Sequence, residues 1–421
     1  MNETLTPVSE GHAQTSTGAA LLFARFGPYH CARLKVASRL VRVTALEYVR
    51  TDKTYSWDPV SPASGVPFVS VFRDEIEAEV SEGKGVGKLA QALDRLAPQA
   101  LVLPGWGPRH SLGALDWAAA HRVPVVVMSE SQARDERRGL LKEWVKRRIL
   151  GLCSAGLAGG RPHAEYLAQL GMPQERIFLG YDAVDNGYFE GKAAESREQR
   201  AENRTRYGLP EKYFLASARF VEKKNLPRLL EAYARYRQKA EAQKATGPQD
   251  CGLWDLVLLG DGPLRAALNS QLSILNLHQH VHMPGFRQYP DLPAYYGLAG
   301  AFVHASTTEQ WGLVVNEAMA SGLPVLVSNR CGCAPDLVQE GVNGFTFDPY
   351  SVEELALLML RVSDPGFPLF AFGDASRRIV ADWGPERFAE GLRAAVDCAL
   401  RVGPRKASRV DRMLLCALLR R

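Results

Sequence analysis

Short apolar runs alternate along this chain with segments whose apolar side chains recur at helical spacing. Such alternation is typical of α/β proteins, in which helices join parallel strands. In the first half, the apolar runs predict strands at 19–24, 41–46, 100–103 and 123–128. In the second half, they predict strands at 213–218, 253–259, 301–304 and 324–327. Two such series indicate two parallel sheets.

Residues 187–207 separate the two series. They carry many charges and few large apolar side chains, which is typical of an interdomain linker or of a solvated helix. The length of 421 residues is sufficient for two domains. We therefore predict two Rossmann-like domains that face each other across a cleft. The predicted divisions are a first domain at 18–190, a second domain at 208–384, a closing helix at 385–400 and a basic tail at 401–421.

The net charge of the chain is concentrated in its tail. The chain carries 51 Lys and Arg against 46 Asp and Glu, a net charge of +5. Residues 401–421 hold seven basic residues and one acid, so the rest of the chain has a net charge of −1. We expect no nucleic-acid partner, because the body lacks the basic surplus of such a binder. Scattered cysteines and a polar N-terminal stretch without a signal-peptide pattern predict a cytoplasmic protein.

The loop after the strand at 301–304 holds the richest chemistry of the second half. In open α/β sheets, ligands bind outside the carboxyl ends of the strands. A helix begins near Gly312, where free backbone N–H groups favour an anion such as phosphate and a glycine allows close approach. Glu309 and Glu317 lie on either side of that helix start, and carboxylates accept hydrogen bonds from sugar hydroxyls. The pattern fits a sugar–phosphate–ribose ligand, although two glutamates eight residues apart are also common in ordinary helices.

A second loop, after the strand at 213–218, carries two cations. Arg219 and Lys224 lie five residues apart, a spacing that suits a clamp on a diphosphate and on the charge of a departing group. The alternative is a solvated charge cluster with Glu222 as partner. Because the loop follows a strand end, we favour the clamp.

Three weaker segments carry no chemistry of their own. Gly260-Asp261-Gly262 predicts a tight strand-to-helix turn, and the glycine-rich stretch 83–88 predicts a surface loop. The polar stretch 238–250 also predicts a surface loop. The sequence has no recognisable metal motif, so we expect phosphate charge to be handled by Arg, Lys and a helix start, without a metal or other cofactor.

Six segments of the second half follow one another in a characteristic order between residues 213 and 349. They are ARFVEKKN from Ala218, LGDGPL from Leu259, MPGF from Met283, the Glu309–Glu317 spacing, AMASGLPV from Ala318 and EGVNGF from Glu340. As a set, these segments resemble the retaining glycosyltransferases of family 4, which have the GT-B fold. The first half resembles that family more loosely.

The resemblance implies roles for four side chains. Arg219 and Lys224 would bind the diphosphate of a nucleotide sugar, and Glu309 would contact the donor sugar near the reacting carbon. Glu317 would bind the ribose hydroxyls. These implied roles agree with the chemistry expected from the two loops themselves.

The resemblance also implies contacts from backbone groups, and the chain departs from the family's pattern at one position. The backbone of Gly312, Leu313 and Val314 would cradle phosphate, and Gly27 would lie in the first-domain loop near the phosphates. Many members of the family have a histidine after the strand equivalent to 123–128, whereas this chain has Glu130. Glu130 is then either a ligand for donor or acceptor hydroxyls or a paired structural glutamate.

The implied activity is transfer of a hexosyl group from a UDP- or GDP-sugar to an acceptor hydroxyl with retention of configuration, in bacterial-type polysaccharide or glycoconjugate biosynthesis. The second domain would bind the nucleotide sugar, and the first would lie on the acceptor side. Two alternatives stay open, a nucleotide-sugar epimerase of the same fold and a catalytically silent nucleotide-sugar-binding protein.

The first domain, which is expected on the acceptor side, and the tail contain features that suit binding to a membrane surface. A saccharide or lipid-linked acceptor is expected against the first domain, with the loop 105–110 as a candidate site because it offers an aromatic ring and two polar groups. Residues 134–148 hold seven basic residues against three acids and predict a basic amphipathic helix. This helix and the tail suit an anionic membrane surface on the inner face of the cell membrane. A solvated helix packed on its own domain is the alternative.

Overall fold

The first sheet of the protein is parallel and lies in its N-terminal half. The computed structural model describes residues 18–51, 57–58, 60, 65–76, 82–136, 138–246 and 253–420. The first sheet has the strand order β3-β2-β1-β4-β5-β6-β7. Its strands are β1 (Ala19–Phe23), β2 (Val43–Thr51), β3 (Phe68–Ile76), β4 (Ala100–Pro104), β5 (Val125–Ser129), β6 (Ala155–Ala158) and β7 (Ile177–Leu179). The helices of this region are α1 (Pro28–Ala37), α2 (Glu82–Leu96), α3 (Arg109–His121), α4 (Leu140–Leu150) and α5 (Arg161–Gln169).

The second sheet is also parallel, with the strand order β10-β9-β8-β11-β12-β13. Its strands are β8 (Tyr213–Ser217), β9 (Asp255–Leu259), β10 (Val281–Gly285), β11 (Ala301–His304), β12 (Val325–Ser328) and β13 (Gly344–Phe347). The helices that precede, surround and follow it are α6 (Asn186–Glu198), α7 (Arg200–Tyr207), α8 (Leu226–Thr246), α9 (Arg265–Ile274), α10 (Leu292–Leu298), α11 (Leu313–Ala320), α12 (Ala334–Leu337), α13 (Val352–Ser363), α14 (Leu369–Ala381), α15 (Pro385–Val402) and α16 (Arg409–Leu419). The predicted α/β fold class is confirmed.

Helices cover both faces of the first sheet, which explains why its strands are apolar throughout. Every residue of β1 is buried, as expected for a parallel strand covered on both faces. Helices α2 and α3 contribute to the core on one face, and α1 and α15 contribute to the core on the other. Helix α15 buries Phe388, Leu392 and Val396 there. The end of the chain thus returns from the second sheet to the first.

The charged segment 187–207 forms helices α6 and α7, so it is helical as one of the two alternatives expected, but α6 is packed rather than solvated. Helix α6 contains residue 190, where the predicted first domain ends, and packs against α10 and α11. Its Phe189 is fully buried in the core of the second sheet. A helix with few large apolar residues therefore docks through one aromatic side chain.

Two predicted surface loops are helical instead. The stretch 83–88 lies within α2, because Leu89, Ala92 and Leu93 form an apolar stripe that packs on the first sheet despite the preceding glycines. The stretch 238–246 continues α8, since Tyr236 and Ala240 extend the buried stripe of that helix. Residues 247–250 lie outside the described residues. In both cases, tertiary packing outweighs a weak local preference.

The Gly260-Asp261-Gly262 segment forms the tight turn that the sequence predicts. Gly260 has φ +135°, and a Cβ at this position would lie 1.9 Å from the carbonyl oxygen of Ala218. The loops after β8 and β9 therefore touch, and the amide of Phe220 donates to the Asp261 carbonyl at 2.8 Å. This contact supports the loop that carries Arg219 and Lys224.

Within the part of the chain that the structure describes, no helix has both the length and the apolar character needed to cross a bilayer.

Candidate functional site

Glu309 is the centre of a polar cluster at the carboxyl end of β11. Lys224 forms an ion pair with its carboxylate, and both side chains are largely buried, each with 12% exposure. Nε2 of His304 lies 3.1 Å from Oε2 of Glu309, and the Ser306 hydroxyl donates to the same oxygen at 3.2 Å. The structure thus brings together the predicted Glu309 and Lys224. His304 and Ser306 were not predicted, although their position at the end of β11 was available as a signal.

The cluster keeps the Glu309 carboxylate charged. Burial by itself raises the pKa of Glu309, but the hydrogen bond from His304 and the Lys224 ammonium lower it well below its usual range. Burial lowers the pKa of His304, so this imidazole is neutral near pH 7. Because a carboxylate only accepts hydrogen bonds, Nε2 of His304 carries the proton. Glu309 is therefore a fixed negative charge.

The start of α11 lies directly beside Glu309. Gly312 caps the helix with φ +105°, and a Cβ at Gly312 would lie 3.4 Å from Cγ of Glu309. The positive φ favours glycine here. The amides of Gly312, Leu313 and Val314 belong to the first turn, where N–H groups lack partners within the helix and suit an anion.

Arg219 and Lys224 lie on one short connection. Arg219 is partly buried in the loop after β8, where its carbonyl accepts from the amide of Val221 at 2.9 Å. Lys224 ends the short 3₁₀ turn Glu222–Lys224 that follows. The carbonyl of Lys223 accepts from the amide of Thr307 at 2.9 Å, so the cationic loop is tied to the loop of Glu309.

Glu317, the predicted ribose ligand, is fully buried on α11. The hydroxyl of Tyr29, from the start of α1, donates to its Oε1. Burial raises the pKa of Glu317 to about 7, against the opposing hydrogen bond from Tyr29. Gly27 caps the same α1, and its amide donates to Nδ1 of His30 at 3.0 Å. The loop of Gly27 therefore meets the second domain through Tyr29, and a first-domain side chain covers Glu317.

Further first-domain side chains reach the loop of Glu309. Gln132, which is 1% exposed, donates through Nε2 to the Glu309 carbonyl at 2.9 Å. Nε2 of His163 lies 2.7 Å from the carbonyl of Gln310. These contacts join residues more than a hundred positions apart in the sequence, and no local sequence signal indicates them.

Glu130 lies directly after β5, at the edge of the first sheet that faces the second domain. Burial raises its pKa, and the charges that act on it include Arg33, Glu309 and Lys223. Glu130 is therefore within electrostatic reach of the Glu309 cluster. Asp182, which follows β7 at the same edge of the sheet, is buried, whereas Glu130 is partly exposed.

The loop 105–110 offers less than the sequence suggests. His110 is buried and stacks on Tyr48 with ring centroids 5.0 Å apart, so its imidazole belongs to the core of the first domain. Burial lowers the pKa of His110 to about 4. Trp106 is only partly buried and packs against the same core. The His110 imidazole, one of the two polar groups expected to bind an acceptor, is thus inaccessible.

Comparisons with known proteins show what this chain is similar to. Residues 199–366 match the family model of the glycosyl transferases group 1. Alpha-D-kanosaminyltransferase of Streptomyces kanamyceticus is 27% identical over 227 residues, which are 53% of this chain and 55% of that protein. The GDP-mannose-dependent alpha-(1-6)-phosphatidylinositol monomannoside mannosyltransferase of Mycobacterium tuberculosis is 29% identical over 202 residues, 46% of this chain and 49% of that protein. The chain thus spans about half the length of these relatives.

Solved structures resemble the chain over nearly its whole length. HepE of Anabaena, in complex with UDP, aligns with 89% of this chain and 98% of its own, with a TM-score of 0.64 and 17% identity. At this identity, the likeness concerns the fold. The described chain therefore has the GT-B fold, and its segment 199–366 is similar to the glycosyl transferases group 1.

Proposed function

We propose that the protein is a retaining hexosyltransferase that uses a nucleoside-diphosphate sugar. The observation that carries this proposal is the Glu309 cluster: a buried, ionised carboxylate paired with Lys224 beside the anion-binding start of α11. The family match of the same segment supports it.

Different groups of the site act on the diphosphate and on the sugar of the donor. Arg219, Lys224 and the amides at the start of α11 stabilise the negative charge that develops on the departing diphosphate. The Glu309 carboxylate faces the sugar near the reacting carbon. Contacts between the two domains exclude water and complete the site. These groups are sufficient for the leaving-group charge, so the proposed reaction needs no metal or other cofactor.

The printed names of the relatives support a choice of substrates. HepE binds UDP, and the mycobacterial relative is named as GDP-mannose-dependent and as acting on a phosphatidylinositol mannoside. We propose a UDP- or GDP-sugar as donor and a saccharide or lipid-linked acceptor, within polysaccharide or glycoconjugate biosynthesis.

The proposal is tested by nucleotide release from UDP-glucose and GDP-mannose in the presence of EDTA. We expect slow donor hydrolysis that an acceptor accelerates. Lys224→Met and Glu309→Gln should each lower the rate by about 10²–10³-fold, because each removes preorganised electrostatic stabilisation. Lys192→Met and Glu195→Gln, which alter an exposed ion pair on α6, should leave it unchanged.

Three outcomes would contradict this proposal. An epimerised sugar nucleotide formed from donor alone, without nucleotide release, indicates the epimerase. Full activity of Lys224→Met and Glu309→Gln removes the assigned site. Complete loss of activity in EDTA, restored by a divalent cation, would contradict metal independence.

We also propose that α4 places the protein on the inner face of the cell membrane. Leu140, Leu141 and Trp144 are 93%, 74% and 44% exposed. Lys142 and Arg147 lie on the same helix and suit anionic lipids. The end of α4 packs on its own domain through the buried Ile149 and Leu150, whereas its first turns present apolar side chains to solvent.

The basic tail contributes to this surface by docking α16. Nε of Arg148 on α4 pairs with Asp411 of α16 at 2.7 Å, and its Nη2 donates to Ser408 at 2.8 Å. Leu415 of α16 is fully buried in the first-domain core. Met413 on the same helix is 72% exposed. Helices α4 and α16 are therefore held side by side at one surface.

A further inference from the structure

Two backbone carbonyls next to the Glu309 side chain accept hydrogen bonds from the first domain. Nε2 of Gln132 donates to the carbonyl of Glu309 at 2.9 Å, and Nε2 of His163 lies 2.7 Å from the carbonyl of Gln310. Gln132 is 1% exposed, and His163 is fully buried. The first domain therefore contacts the backbone that carries the Glu309 carboxylate.

The hydrogen bonds of His163 determine which of its ring nitrogens carries the proton. Its Nδ1 accepts from the amide of Gly160 at 3.0 Å, at the start of α5. Nδ1 is therefore unprotonated, and Nε2 carries the proton that it donates to the Gln310 carbonyl. Burial lowers the pKa of His163, so the imidazole keeps this neutral form near pH 7. A rigid ring on a helix thus presents a single donor to the loop of Glu309.

The second domain binds the same short segment through Gly332. The amide of Gly332 donates to the Glu309 carbonyl at 3.0 Å. A Cβ at Gly332 would lie 1.7 Å from the carbonyl oxygen of Gln310 and 2.7 Å from Nε2 of His163. Only a residue without a side chain therefore leaves room for the hydrogen bond between His163 and Gln310. The backbone of residues 309 and 310 is thus held by both domains at once.

We propose that His163 is a positioning residue that aligns the Glu309 carboxylate with the donor sugar by binding the Gln310 carbonyl. This inference rests on the proposed glycosyl transfer. Glu309 and Gln310 are consecutive residues, so a shift of the Gln310 carbonyl also moves the carboxylate of Glu309. A misplacement of about 1 Å can lower the rate of an enzyme about 10²-fold. One hydrogen bond to the backbone is therefore sufficient to affect the chemical step.

The same hydrogen bond makes this alignment depend on domain closure. His163 lies on α5 of the first domain and Gln310 lies in a loop of the second, so the bond forms only when the two domains are in contact. A donor bound to the second domain of an open molecule meets a Glu309 that the first domain does not yet align. We therefore expect kcat, rather than the KM for the donor, to depend on His163.

Two substitutions separate the hydrogen bond to Gln310 from the hydrogen bond to Gly160. His163→Gln places an amide N–H donor near the position of Nε2, whereas His163→Asn places a carbonyl acceptor near that of Nδ1. His163→Asn therefore keeps the acceptor for the Gly160 amide and loses the donor to Gln310. The assay is hydrolysis of UDP-glucose and of GDP-mannose by the full chain, measured as nucleotide release.

His163→Asn should lower kcat about 30–100-fold and leave the donor KM within about threefold, because Arg219, Lys224 and the start of α11 still bind the diphosphate. His163→Gln should keep kcat within about fivefold of the wild type. His121→Asn makes the same change in a half-exposed histidine of α3 and should alter neither constant.

Three kinetic results would overturn the inference. They are an unchanged kcat in His163→Asn, equal losses in His163→Asn and His163→Gln, and a loss in His163→Asn that appears in KM alone. Gln132→Met gives a second variant in case His163→Asn does not fold, since it removes the neighbouring donor to the Glu309 carbonyl. It should lower kcat about tenfold at an unchanged KM, and an unchanged kcat would also overturn the inference.

Nuclear magnetic resonance of ¹⁵N-labelled histidines tests the hydrogen bond without substrate. The signal that is lost in both His163 variants should show a proton on Nε2 and none on Nδ1 at pH 7. A proton on Nδ1 would overturn the inference, whatever the activity. If the wild type releases no nucleotide while this signal is as expected, the proposed function and the role of His163 in transfer fail together, and the hydrogen bond between the domains stands.

Discussion

The Tyr29 hydroxyl and the Glu317 carboxylate join the two domains through a partly buried hydrogen bond. Tyr29 also packs edge-on against Trp57 and Tyr289, at centroid distances of 6.4 and 5.7 Å. If Glu317 binds the ribose of the donor, Tyr29 must leave it first. The Tyr29 side chain therefore takes part both in the contact between the domains and in controlling access to the donor site.

Tyr29→Phe should destabilise the protein more at high pH than at low pH. The pKa of Glu317 lies at about 7 in the folded chain, above its ordinary value of 4.5, so folding takes up a proton and stability falls as pH rises through this window. Loss of the donor to the ionised form raises the folded pKa further. We expect a loss of about 1.5–3 kcal/mol at pH 8 and about 0.5–1.5 kcal/mol at pH 5, measured by urea unfolding.

Tyr207→Phe is the matched control for this prediction. The Tyr207 hydroxyl donates to Asp291 at 3.0 Å, but both side chains are partly exposed. Its loss should be smaller and nearly independent of pH. Equal losses at pH 5 and pH 8 in Tyr29→Phe would contradict the assigned role of the hydrogen bond.

At the scale of an element, the two ends of helix α4 lie in different environments, although the same basic, amphipathic pattern runs through the whole helix. Its C-terminal end is buried, and its N-terminal turns expose Leu140, Leu141 and Trp144. The triple substitution of these residues by Ser should lower co-sedimentation with phosphatidylglycerol vesicles at least tenfold, because apolar side chains that insert into the interface are lost. The wild-type binding should weaken as salt rises, since the basic residues contribute through screened charge.

Phe370→Ser provides the control for α4. Phe370 is 83% exposed on α14 of the second domain, so this substitution removes a comparable apolar side chain from another surface. Its vesicle binding should equal that of the wild type. Unchanged binding of the α4 variant would refute this membrane surface.

The strands show how much of the fold the local sequence pattern predicts. The predicted strands of both halves coincide with observed ones to within a few residues, because continuous apolar runs are typical of parallel strands covered on both faces. Strand β3, by contrast, was not predicted, although Phe72 is buried within it. Strands β6 and β7 were not predicted either: they are short, and glycine and alanine make up much of β6. Small residues give little apolar signal, and the sheet supplies the missing stabilisation.

On the scale of the whole molecule, α5 and α12 hold the two domains together. Nε of Arg161 lies 2.6 Å from Oδ1 of Asp336, and the Arg161 amide donates to Oδ2 at 2.9 Å. Gly160 permits this contact, because a Cβ there would lie 2.6 Å from the ring of Trp311. The Asp336 side chain is 4% exposed, whereas that of Arg161 is 63% exposed.

Arg161→Ala should shift the domains towards a more open arrangement. Since Arg161 is mostly exposed and its amide remains, we expect a loss of only about 1 kcal/mol, or roughly fivefold in the ratio of closed to open molecules. Small-angle X-ray scattering should report a larger radius of gyration. Lys192→Ala, which breaks an exposed pair within α6, should not change it. An unchanged radius in Arg161→Ala would contradict this coupling.

The sequence by itself determined the α/β architecture and the loops that carry Arg219, Lys224 and Glu309, because strand ends, apolar periodicity and helix starts are local properties of the chain. It left Glu130 as either a ligand or a paired structural residue, and it gave the loop 105–110, which contains His110, as a candidate acceptor site. Only the tertiary structure decided which side chains become neighbours. Tyr29 lies against Glu317 across 288 residues of sequence. Such contacts depend on how two sheets and their helices pack, and this packing determines burial, hydrogen bonding and pKa.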